Sequence, residues 1–180
     1  MKTKKQNLLA MVVLMATVMG GSHQALAAGD NTTVTITGTV RANTCTVGDT
    51  AKGELATVSV RDFKQTAGTV VGSVDVPVVF SDCGGGTTGV KVTVSGTAAG
   101  NDGAFKNTNE GQEGGAKNVG VYFYDTDGTT LIKAGTDVAA KEQAFTTDTT
   151  LNYKASYVSI TDGVEAGSVL TMITMNFTYI

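Results

Sequence analysis

The sequence contains one histidine, no tryptophan, one proline and two cysteines among 180 residues. The one histidine, His23, lies in an N-terminal segment with the grammar of a secretory signal: basic Lys2, Lys4 and Lys5, an apolar run from Leu8 to Met19, then Ala25-Leu26-Ala27 as a small-x-small cleavage site. Cleavage after Ala27 is expected to leave 153 residues, one domain in length, with no histidine at all. That excludes His-dependent triads, His general bases and most zinc sites. The apolar run falls short of the ~20 residues a membrane-spanning helix needs, and no later run replaces it. Without tryptophan, a carbohydrate-binding surface would lack its best stacking platform.

Positive charge is also scarce. Losing Lys2, Lys4 and Lys5 from 13 basic residues leaves 10 against 16 acidic ones, a net of −6. Such a balance argues against nucleic acid and anionic membranes as partners. Two cysteines in an exported chain, Cys45 and Cys83, read as one disulfide, the alternative being two free thiols.

What the chain has in quantity is β-branched residues at period two. From Thr32 to Val40, one face carries Thr32, Val34, Ile36, Gly38 and Val40, and the other is all threonine from Thr33 to Thr39. Candidate strands follow at Leu55–Val60, Gly72–Phe80 (with Pro77 marking an edge, bulge or kink), Val90–Ser95, Val119–Tyr124, Thr130–Lys133, Phe145–Thr147 and Leu151–Ile160. Asp125-Thr126-Asp127-Gly128 predicts a hairpin turn. Thr136–Ala144 predicts at most a turn or two of helix, or a loop, and Gly100–Lys117 predicts a long surface loop. The last stretch, Gly167–Ile180, places Val169, Thr171, Ile173, Met175, Phe177 and Tyr179 on one face. A strand ending on the terminus has no following strand to cover it. Many short strands and no amphipathic helix predict an all-β, immunoglobulin-like sandwich.

The motifs that might carry chemistry fail on context. Gly84–Gly89 matches G-x-G-x-x-G but leads into a strand rather than the helix whose N-terminus would hold a pyrophosphate. Asp125–Gly128 opens like a calcium loop, but its glycine stands at position 4 and Thr136 occupies the place of the bidentate glutamate. Hydroxyls abound with no base to activate them. No enzyme activity, cofactor or metal is expected.

In combination, VTITGTVRANTC, the two cysteines with PVVFSDC at the second, NVGVYFYDTDG, and an end with Gly167 fourteenth from the terminus and Tyr179 penultimate resemble chaperone–usher pilins of the type 1-like fimbriae. The resemblance spans essentially the whole mature chain; the final Ile180 departs from the polar residues common in relatives. It implies a signal peptide at 1–27, an N-terminal donor-strand extension at 28–40 and a pilin domain at 41–180. The domain would be an incomplete immunoglobulin-like sandwich lacking its last strand and completed by donor-strand exchange. The donor residues would be Thr32, Val34, Ile36, Gly38 and Val40, with Gly38 where the groove is too shallow for a side chain. The acceptor groove and chaperone-binding strand would carry Gly167, Val169, Thr171, Ile173, Met175, Phe177 and Tyr179. Implied partners are neighbouring pilus subunits, a periplasmic chaperone and an outer-membrane usher, with neither nucleic acid nor a small-molecule substrate. The implied location is a fimbrium on the bacterial surface, reached through the periplasm. The alternative is a self-complete secreted β-sandwich that binds a carbohydrate or host ligand.

Overall fold

The computed structural model describes residues 33–40, 44–48, 51–100, 103–135, 141–145 and 147–180. The expected signal peptide and Thr32 lie outside them. The chain divides into Met1–Gly38 and Thr39–Ile180. In the first unit, residues 33–38 carry no β-ladder and are exposed.

Apart from one 3-10 turn, the regular elements described in the second unit are all strands: β1 (Thr46–Val47), β2 (Val70–Ser81), β3 (Gly89–Ser95), β4 (Phe105–Lys106), β5 (Val119–Tyr124), β6 (Leu131–Ile132), β7 (Lys141–Ala144), β8 (Thr149–Ser159) and β9 (Thr174–Tyr179). Every pairing between these strands is antiparallel. One sheet runs β1-β2-β8-β5-β4, with β6 also on β5; the other runs β7-β3-β9. The result is an immunoglobulin-like β-sandwich. No helix among the described residues is long and apolar enough to cross a membrane.

The period-two faces dictate the core. On β2, Val76, Val78 and Phe80 point inward while Asp75, Pro77 and Val79 stay exposed. Val90, Val92 and Val94 of β3 face them, and Val121, Phe123, Tyr153 and Ala155 from β5 and β8 join the cluster, with Phe105, Ile132 and Ala134. Phe123 stacks on Tyr153 at 5.3 Å between ring centroids. Pro77, opposite Asn152 of β8, has no N–H to offer a second neighbour. None is required, since β1 meets β2 only at Phe80 and Ser81. The ladder slips between Val71 and Val74, where Gly72 takes a φ of +64° that a side chain would resist.

Four expectations are corrected, the first at Phe145–Thr147, where Phe145 and Thr147 lie in no strand. LATVSV alternates but forms no strand. Ser59 instead caps a 3-10 turn at Val60–Phe63, its hydroxyl accepting from the Arg61 N–H while Asp62 Oδ2 accepts from the Ser59 N–H. Lys141–Ala144, rich in helix formers, is a strand because β3 offers it a ladder from Gly89 to Val92; pairing overrides propensity. Gly100–Lys117 is a surface loop only in part: Ala104, Phe105 and Asn107 are fully buried, and Phe105 packs edge-on against Phe123.

The hairpin predicted at Asp125–Gly128 forms, the Gly128 N–H donating to the Asp125 carbonyl. Asp127 accepts from the N–H groups of Thr129 and Thr130, and from the Thr130 hydroxyl. These bonds hold its carboxyl well below the usual carboxylate range.

Candidate functional site: an apolar groove along the last strand

Residues 169–180 alternate without a break: Val169, Thr171, Ile173, Met175, Phe177 and Tyr179 are half-buried, and every even-numbered residue is exposed. The face is apolar, yet none of its members is fully covered. β9 pairs with β3 along one edge only, from Val90 opposite Tyr179 to Ser95 opposite Thr174. No described strand pairs with its other edge.

The uncovered face has a counterpart in and beside the opposite sheet, on β1, β2 and the segments flanking them. Cys45, Val47, Leu55 and Val74 are likewise half-buried against the same core as Ile173, Met175 and Phe177. Phe80 lies beneath both rims: it is the ladder partner of Val47 and meets Phe177 ring to ring at 5.2 Å. The two rims make this a candidate groove over the sandwich core, and at one end the Tyr179 hydroxyl links them by donating to the Cys45 carbonyl at 3.0 Å. Cys45 is itself anchored by a disulfide to Cys83. A free strand edge combined with an apolar face is an aggregation hazard unless something covers it.

Of the residues singled out in the sequence, Val169 to Tyr179 share the groove face as a set, although the ladder begins at Thr174. From Val169 to Ile173 the backbone bonds elsewhere: the Leu170 N–H donates to Asn107 Oδ1, and the Leu170 carbonyl accepts from the Thr108 N–H. Gly167 is exposed and lies before this face, where its backbone crosses that of Gly114–Ala116. A Cβ there would sit 2.3 Å from the Ala116 nitrogen and 2.4 Å from the Gly115 carbonyl carbon. Gly167→Ala is therefore expected to cost roughly 1–3 kcal/mol, as overpacking does, read as a lower urea midpoint with an unchanged m-value. Val34, Ile36 and Val40 are 75%, 89% and 99% exposed, and a Cβ on Gly38 would meet nothing within 4 Å.

Sequence reasoning missed Asn107, the buried amide that fastens the groove strand's lead-in to the 107–116 loop. An asparagine among glycines reads as a turn residue, so no local signal marks it. Leu55 and Val74 were also missed as rim residues. Among the described residues no group of acidic, histidine or cysteine side chains could hold a metal ion.

Fold and edge together define a class: an immunoglobulin-like sandwich whose final strand has a half-buried apolar face and an edge that no described strand pairs with. The chain belongs to the fimbrial protein family, whose model matches residues 34–179. No curated protein matches the sequence. Among solved structures, the fold is similar to an antigen and type I fimbria protein of Burkholderia pseudomallei, at 22% identity and a TM-score of 0.54, covering 76% of this chain and all of that one. It is similar also to the P pilus rod subunit PapA, at 15% identity and a TM-score of 0.55, covering 76% and 99%. A subunit of a chaperone–usher pilus matches at 16% identity and a TM-score of 0.56, covering 84% and 96%.

Proposed function

We propose that this chain is a structural, non-enzymatic subunit of a chaperone–usher fimbria that polymerises by strand donation. Its extension, Ala28–Val40, enters the groove of a neighbouring subunit, and its own groove takes a neighbour's extension. Before assembly a periplasmic chaperone covers the groove; at the outer membrane an usher exchanges chaperone for neighbour.

The observation that carries this reading is the alternating face from Val169 to Tyr179, apolar and nowhere fully buried. The extension has the complementary pattern, with Val34, Ile36 and Val40 exposed on the face that Gly38 interrupts. Burying the three apolar side chains contributes about 1.5–3 kcal/mol each. The strand ladder adds about 0.5–1.5 kcal/mol per hydrogen bond, and the half-exposed groove face is covered in the same event. The disulfide fits passage through an oxidising periplasm.

Deleting Ala28–Val40 tests the proposal. The truncated subunit is expected to keep its chaperone complex and to accept a donor strand, yet to yield no polymer on electrophoresis without heating. Normal polymers from the truncation would overturn strand donation. Gly38→Arg is expected to spare the subunit's own fold and slow insertion at least tenfold. Equal insertion rates would remove the role assigned to the glycine.

A further inference from the structure

On the side of β3 away from β9, the two sheets flank a partly open space of about 350 Å³. Val92 and Val94 of β3, with Leu131 and Ile132 of β6, supply apolar walls. The volume lies at the low end of the range for small-molecule sites. Two buried polar side chains line the same space. Tyr153 is 1% exposed and its hydroxyl has no hydrogen-bond partner among the described residues; Asp125 is 4% exposed. A hydroxyl buried without a partner is uncommon, because it forfeits the bonds it makes to water.

The charges at the site are already matched. Lys141 Nζ lies 2.5 Å from Asp125 Oδ2. Asp125 Oδ1 accepts from the Thr126 N–H. A cationic ligand would have to displace Lys141, and an anionic one would face Asp125. Oδ1 accepts further from the Thr126 hydroxyl and the Gln143 side-chain amide, so the remaining capacity is a phenol proton to give on Tyr153 and the one lone pair that Lys141 leaves on Asp125 Oδ2. Burial first, and the Asp125 charge second, push the Tyr153 phenol above its ordinary value, so it keeps that proton at neutral pH. A single hydroxyl group answers both needs, because it can accept from one partner and donate to the other.

We propose that this cavity is a binding site for a small uncharged alcohol or phenol. The ligand's hydroxyl accepts from Tyr153 and donates to Asp125, and its carbon skeleton lies against Val92, Val94, Leu131 and Ile132. The site shares no residue with the β9 groove and does not depend on strand donation.

Phenol and toluene, matched in shape but not in hydroxyl, are the probes, titrated into the full subunit and followed by amide chemical shifts. Phenol is expected to saturate, with shifts clustered at Asp125–Ile132 and Lys141–Gln143, and toluene to bind roughly fivefold more weakly. Tyr153→Phe should erase the difference between the two probes. Leu131→Trp, which fills the cavity from a half-buried position, should abolish binding of both and provides a second check should Tyr153→Phe not fold. Failure of phenol to saturate, shifts clustered on Ile173–Tyr179, or binding unchanged in either folded variant would each overturn the proposal.

Discussion

Asn107→Leu is expected to lower the stability of the subunit by about 3–5 kcal/mol, the range for breaking a buried hydrogen-bond network. Asn107 is fully buried. Its Nδ2 donates to the carbonyls of Ala116 at 2.9 Å and Ser168 at 3.2 Å; its Oδ1 accepts from the N–H groups of Asn109 at 3.0 Å and Leu170 at 2.9 Å. All four capacities of the amide are used. Leucine matches its size but strips these backbone groups of their shared partner, each at about 1–3 kcal/mol where it stays dry. The Ser168 carbonyl would keep the Ala116 N–H at 3.0 Å, so the loss falls mainly on the other three groups. Asn109→Ala is the matched control. It removes one exposed bond to the Ser168 hydroxyl and should cost less than about 1 kcal/mol. Urea unfolding of the two variants decides. A small loss for Asn107→Leu would mean that the 107–116 loop is held by other contacts.

The second large effect is expected from the disulfide. Replacing Cys45 and Cys83 by serine releases a 38-residue loop, for which chain entropy predicts a loss of about 4 kcal/mol. For a domain of this size, that corresponds to a fall in Tm of roughly 8–16 °C. The loss has a particular place. β1 is two residues long and meets β2 at two positions, so the bridge is the main tether of this groove rim. Without it, the carbonyl that receives the Tyr179 hydroxyl is no longer fixed. The double serine variant should therefore lose donor-strand uptake at temperatures where its sandwich is still folded. Calorimetry paired with a donor-peptide binding assay at several temperatures checks both parts. Parallel loss of fold and uptake would show that the bridge stabilises the subunit without shaping the groove.

Legibility in the sequence followed burial. β2, β3 and β5 were readable because each puts valine or an aromatic inward at every second position, and β8 because Leu151, Tyr153 and Ala155 alternate in the same way, the pattern a sheet face demands. The same rule misread LATVSV, where a serine and an aspartate three residues apart cap a 3-10 turn. It also missed KEQA, whose composition favours helix and whose conformation is set by the neighbouring edge of β3. Phe105 and Asn107 were hidden in a glycine-rich stretch because their burial comes from β5 and from residues about sixty positions later.

The groove divides in the same way. The alternation of Val169 to Tyr179 is a local property, and the chain alone determined that this stretch has one apolar face. It also made an export signal the expectation for residues 1–27 and placed a second alternating segment near the N-terminus. Only the tertiary structure decided that the apolar face stays half open, that Phe80 floors the space between two rims, and that Tyr179 ties one end to Cys45. Only it decided that Gly167 marks a crossing of backbones rather than a place on the open face. The physical reason is range: a strand's two faces are set by neighbours two residues away, whereas what covers a face is set by segments brought to it by the fold.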